Sequence, residues 1–97
     1  MTDVTELVEW KPDWSVHPGE TLRETLQERG LTQLACATLI GRTPQVVNQI
    51  INGKKSITAD TALDLEHGLG ISAEFWVRLQ ADYDLSVARQ RRARTST

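Results

Sequence analysis

Residues 32–53, TQLACATLIGRTPQVVNQIING, decide the fold. Thr32 stands where an N-cap hydroxyl is wanted, Leu34, Ala37 and Ile40 recur at helical spacing, and Gly41 closes the block. A second block opens with Thr43 as cap and Pro44 at the first helical position, and stops at Asn52-Gly53. Each block is long enough for about two helical turns. The second block alternates Gln45, Asn48, Gln49 and Asn52 with Val46, Val47, Ile50 and Ile51, and a helical projection sorts the mixture. With Gln45 at zero and about 100° per residue, Asn48 falls near 300°, Gln49 near 40° and Asn52 near 340°. The four aliphatic residues fall between about 100° and 240°, a coherent face for burial.

The same punctuation continues on both sides. Upstream, HPGETLRETLQERG has Pro18 and Glu20 in an opening turn, Leu22 and Leu26 four apart, and Gly30 as a C-cap. Downstream, Thr58 caps a helix with Ala62, Leu65 and Leu69 on one face, closed by Gly70. Ser72 caps another, whose Phe75, Trp76, Leu79 and Tyr83 fall within about 100°. No segment has strand periodicity. The expected fold is all-α: five short helices joined by short turns, with neighbours in sequence packing as neighbours in space. Residues 1–16 form an expected extended arm in which Trp10 and Trp14 cap the core or a subunit contact. Residues 17–88 form the domain, and 89–97 a basic tail.

Ninety-seven residues, 39% apolar and a quarter charged, describe one globular domain. No apolar run approaches the roughly 20 residues that cross a bilayer, and the acidic N-terminus does not read as a signal peptide. A cytoplasmic protein with no membrane partner is expected. Cys36 is single, and with only His17 and His67 beside it no metal-ligand set is expected, nor any cofactor. No spacing singles out a general acid/base pair, so an enzyme is not expected. The net charge of −2 is strongly segregated. Residues 41–55 carry three basic and no acidic side chains, residues 89–97 carry four and none, and the flanking regions are acidic.

An exposed helix face that serves only solubility usually carries Lys and Glu. The amide face of the second block is uncharged. Asn and Gln each present a donor beside an acceptor, which matches the N6 and N7 edge of adenine in the major groove. A helix, a turn and such a second helix follow the helix-turn-helix plan, whose second helix enters that groove. Thr43, Gln45, Asn48 and Gln49 are therefore candidate base-reading residues. Gln33, Arg42, Asn52, Lys54 and Lys55 are candidate phosphate contacts around them. A polar protein contact or an indifferent surface remains an alternative for the amide face alone.

Gln33, Ala37 and Gly41 in TQLACATLIG, with NQIINGKKSIT and LGIS, resemble the phage-repressor type of helix-turn-helix. HPGETLRETL, IINGKKSITADTAL and SAEFWVRLQADYDL are similar, more closely, to the HigA-type antitoxins of toxin-antitoxin modules, over residues 17–88. The resemblance implies a homodimer that binds an inverted-repeat operator, represses its own operon and neutralises a RelE-like, ribosome-dependent mRNA-cleaving toxin. A phage-type repressor without a toxin partner is the alternative. Cys36 stands where the family usually has Leu, and Gly68 where a helix former, often Ala, is usual. Gly68 is expected to loosen its helix end by roughly 0.5–1 kcal/mol.

Three surfaces stay open at this level. Glu20, Glu24 and Glu28 make a one-sign stripe that suits either a basic toxin or solvent. The arginines of RQRRARTST suit either phosphate or a frayed, solvated end. Trp76, Tyr83, Leu85 and Val87 are expected at a dimer contact, or else complete the core.

Overall fold

The computed structural model describes residues 16–95. The arm with Trp10 and Trp14 therefore lies outside the described residues, except for Val16. Five helices follow one another among the described residues: α1 Pro18–Arg29, α2 Gln33–Ile40, α3 Pro44–Ile51, α4 Ala59–Leu69 and α5 Ala73–Thr95. None of them is long and apolar enough to cross a membrane.

Local chemistry sets the boundaries. Thr32, Thr43 and Thr58 accept hydrogen bonds from the N–H groups of Ala35, Val46 and Thr61, at 3.0, 3.2 and 3.3 Å. Ser72 does the same for Phe75 at 3.2 Å. Each cap satisfies a backbone donor that the first turn leaves unpaired, which is worth about 1 kcal/mol. At the start of α1 the imidazole Nδ1 of His17 takes this role, accepting from the Gly19 N–H at 3.1 Å. Gly41 ends α2 at φ 74°, a left-handed conformation that a side chain would strain.

The helices close around Leu22, Leu26, Ala37, Ile40, Val47, Ile50, Ile57, Ala62, Leu65 and Trp76, all 4% exposed or less. Helix α1 packs on α3 and α5, α2 on α3 and α4, and α4 on α5. Arg29 joins two helix ends, its guanidinium donating to the Leu69 carbonyl at 2.6 Å. Cys36 is one of the core residues, and burial raises its thiol pKa, so the neutral thiol is favoured.

Helix α5 departs from its expected face. Of the two expectations for Trp76, a dimer contact or completion of the core, its full burial within a single chain fits the second. Phe75 is 42% exposed and covers the indole edge-on, with ring centroids 5.3 Å apart. Gln80 is buried instead, because its amide carries a structural hydrogen bond. Its Oε1 accepts from the Ile57 N–H at 2.8 Å, and its Nε2 donates to Asp84 at 2.9 Å. A buried amide satisfied at both ends can replace an apolar residue on the packed face.

The division expected at residue 88 also falls inside a helix, since α5 runs on to Thr95. Ala, Gln and Arg are strong helix formers, and basic residues in the last turn complement the negative end of the helix dipole. Residues 89–95 thus continue α5.

Gly68 reverses its expected effect. A Cβ there would lie 2.7 Å from Ile40 Cγ2 and 2.7 Å from the Leu39 carbonyl oxygen. The missing side chain lets the end of α2 cross α4 closely. Gly68→Ala should gain about 1 kcal/mol of helix propensity and lose about 1–3 to overpacking, a net destabilisation measurable by urea unfolding.

Candidate nucleic-acid interface

Helix α3 is fixed on one side and open on the other. Val47, Ile50 and Ile51 are buried, at 0%, 1% and 3% exposure, with Val46 packed partly against the same core. Thr43, Gln45, Asn48 and Asn52 are exposed, and Gln49 is half-buried. The predicted separation of faces is present.

The amides divide into a linked set and a free set. Asn52 Nδ2 donates to Asn48 Oδ1 at 3.2 Å, and Asn48 Nδ2 donates to Gln33 Oε1 at 3.2 Å. Gln33 is the first residue of α2, so the chain of amides spans the turn and orients Asn48 from both sides. Asn48 keeps a second N–H and a second lone pair for an outside partner. Gln45 and Gln49 make no side-chain hydrogen bond among the described residues, and their donor and acceptor atoms remain available. Thr43 has already committed its hydroxyl oxygen as the α3 cap.

The basic bracket is less uniform than its spacing suggested. Lys54 and Lys55 are exposed after α3, and the Lys54 N–H donates to the Gln49 carbonyl at 2.8 Å, which holds the turn compact. Arg42 instead directs its Nε to Asp64 Oδ2 on α4, at 2.6 Å. The pair ties the turn to α4 and offsets the Arg42 charge, and it engages Nε, so the two terminal guanidinium nitrogens are not used in this contact. Twenty-two residues separate these partners, and no local pattern pointed to Asp64. Gly19 was missed for a similar reason. A Cβ on it would overlap the Ile50 carbonyl oxygen and approach that of Ile51 to 2.7 Å. The start of α1 thereby sits directly on the end of α3.

Of the expected dimer residues other than Trp76, Tyr83 is half-buried and meets the His17 ring edge-on at 6.1 Å. Leu85 and Val87 are exposed, at 49% and 36%. A more extensive apolar surface lies between α4 and α5. Ala59, Leu63, Ala73, Val77 and Ala81 line a groove of about 530 Å³, with Glu74 and Arg78 also on its wall. Leu63 and Val77 are 57% and 41% exposed.

A capped helix, a left-handed glycine turn and a second helix that presents a polar face from an apolar seat define a helix-turn-helix. The Helix-turn-helix family model matches residues 22–76, and the chain belongs to this family. Within it the chain groups with HigA-type antitoxins. It is 42% identical to virulence-associated protein I of Dichelobacter nodosus, over 78% of this chain and 71% of that one. It is 38% identical to antitoxin HigA-1 of Vibrio cholerae, over 78% of this chain and 72% of that one. The Pseudomonas aeruginosa antitoxin HigA, solved with the higBA promoter, superposes with a TM-score of 0.77 at 34% identity, covering 84% of this chain and 89% of that one.

Proposed function

We propose that this protein is an operator-binding antitoxin that represses its own operon and neutralises a RelE-like, mRNA-cleaving toxin in the cytoplasm. The observation that carries the DNA half of the reading is the uncharged amide face of α3 on a buried aliphatic seat. Gln45 and Gln49 offer unspent donor and acceptor pairs to base edges, and Asn48 joins them in an orientation set by Gln33 and Asn52. Lys54, Lys55 and the outer nitrogens of Arg42 meet phosphates and set the register. Thr43 contributes through its methyl group and its position at the helix start.

Two copies related by a two-fold axis would present two α3 helices about 34–36 Å apart, which requires an inverted-repeat operator. The α4–α5 groove suits that second copy. Val77, Ala81 and Leu85 recur every four residues on α5, Leu63 lies across the groove, and Glu74 and Arg78 become mutually complementary across a two-fold axis. Tyr83 and Val87 lie on the other side of α5, with Tyr83 against His17, and fall outside this contact. Leu63→Glu should give a monomer by light scattering, and an unchanged dimer would refute the placement.

Gel-shift titration tests the reading face. Gln45→Ala with Gln49→Ala removes two amide contacts per protomer, four per dimer, at about 1–3 kcal/mol each, so operator affinity should fall by at least about 700-fold. Binding to scrambled duplex should hardly change. Equal loss on both duplexes, or no loss on the operator, counts against base reading by these residues.

The antitoxin half rests on family membership and on α1. Glu24 and Glu28 are exposed on one stripe, and Glu20 lies 3.8 Å from Arg23 in a loose ion pair. An acidic helix face complements the basic surface that an RNA-cleaving protein needs. Co-expression with the product of the adjacent gene decides between antitoxin and simple repressor. Failure to co-purify or to restore growth favours the repressor.

A further inference from the structure

The end of α5 carries a charged surface that the helix-turn-helix does not use. Ser86 is buried, yet none of residues 87–94 is, so these turns add little to the core. After Asp84 the chain has no acidic residue, while Arg89, Arg91, Arg92 and Arg94 all stand at exposed helical positions. At about 100° per residue, Arg89 and Arg92 fall on one side of the helix and Arg91 and Arg94 on roughly the other. Charge therefore surrounds the helix. A membrane-surface helix would segregate large apolar residues on one side, and beyond Val87 this segment has none.

The fold brings the middle of α5, at Tyr83, close to the lysine turn that follows α3. A Cβ on Gly53 would lie 3.1 Å from the His17 ring, and the same ring meets Tyr83 at 6.1 Å. Gly53 immediately precedes Lys54 and Lys55, so His17 lies between the lysine turn and the middle of α5, from which the arginine turns continue. From Tyr83 the helix rises by about 1.5 Å per residue, which places Arg89 to Arg94 roughly 9–17 Å further along the axis. A duplex presents one negative charge per about 1.7 Å of its axis and can meet charges spread over such a span.

We propose that the C-terminal turns of α5 are a second phosphate-binding element, which engages duplex backbone outside the segment read by α3. The inference rests on the operator-binding reading of α3 for the position of the DNA, and adds a sequence-independent contact from a different element.

The test uses the full chain and its R89Q/R91Q/R92Q/R94Q variant, since Gln removes charge while keeping helix propensity. Circular dichroism confirms equal helix content. Salt titrations are run on the inverted repeat from upstream of the protein's own gene, on the same repeat with flanking base pairs added, and on a scrambled long duplex. The slope of log K against log salt should be steeper for the wild type than for the variant by at least about 2, with each lost phosphate contact contributing roughly 0.9. The difference should be largest on the long duplexes, and the variant should still prefer operator to scrambled DNA. Equal slopes on every duplex overturn the inference and return the arginines to a protein-facing role. A wild type that cannot distinguish operator from scrambled DNA refutes the α3 reading instead, and the slopes on scrambled DNA still decide the role of the arginines.

Discussion

Replacing Trp76 by alanine is expected to remove about 3–5 kcal/mol of folding stability. Its side chain is completely buried and is the largest among the fully buried residues. Truncation empties the space that α5 fills, and it removes the ring against which Phe75 packs. A domain of this size holds about 5–15 kcal/mol in total, so the variant keeps only part of its margin. With each kcal/mol worth about 4–8 °C, its melting temperature should fall by roughly 12–40 °C. The loss should be the same at low and high protein concentration, because the packed surface belongs to one chain. A subunit anchor behaves differently: its truncation would dissociate the dimer and leave the monomer fold intact. Denaturation followed by circular dichroism, alongside light scattering, separates the two, and an intact monomer of unchanged stability would refute the core assignment. Trp76→Phe should cost less, since most of the ring is kept and a buried indole N–H without a partner among the described residues is removed.

The difference between Trp76 and the amide face shows which features a single sequence reveals. Caps and glycine stops depend on a few adjacent residues, so Thr32, Thr43 and Thr58 announce their helices before any packing is known. The faces of α3 are legible for the same reason: eight residues with two well-separated chemistries leave one way to bury the aliphatic side. Helix α5 is different. Trp76 and Phe75 are adjacent and equally apolar, and only the approach of α4 and of the Ile57 backbone decides that Trp76 and Gln80 turn inward. Arg42 illustrates the same limit for charge. Its spacing suggested phosphate, but Asp64 reaches it from α4 at 2.6 Å. Local rules see short-range chemistry; the partners of Arg42, Gln80 and Gly68 come from segments that pack only after the chain folds.

Gly19→Ala tests that limit where it affects the candidate interface most directly. By helix propensity the change should stabilise α1 by about 1 kcal/mol. The structure gives the opposite sign, because the added carbon meets the Ile50 and Ile51 carbonyl oxygens and comes within 2.8 Å of the His17 ring. The imidazole can turn aside, at the cost of its cap to the Gly19 N–H. The carbonyls belong to the last turn of α3 and move only if α1 and α3 separate. Overpacking usually costs about 1–3 kcal/mol, and an obstacle made of backbone puts this case at about 3 or above. Relief by separation would shift the end of α3, with Asn52 and the Lys54-Lys55 turn beside it, so operator affinity should fall together with stability. Glu24→Ala, an exposed change on the same helix, serves as control and should alter stability by less than about 0.5 kcal/mol. Thermal unfolding and gel-shift titration of both variants give the comparison. A Gly19→Ala protein as stable as the control would mean that α1 and α3 do not need their close approach. A destabilised protein with full operator affinity would mean that the end of α3 holds its place without α1.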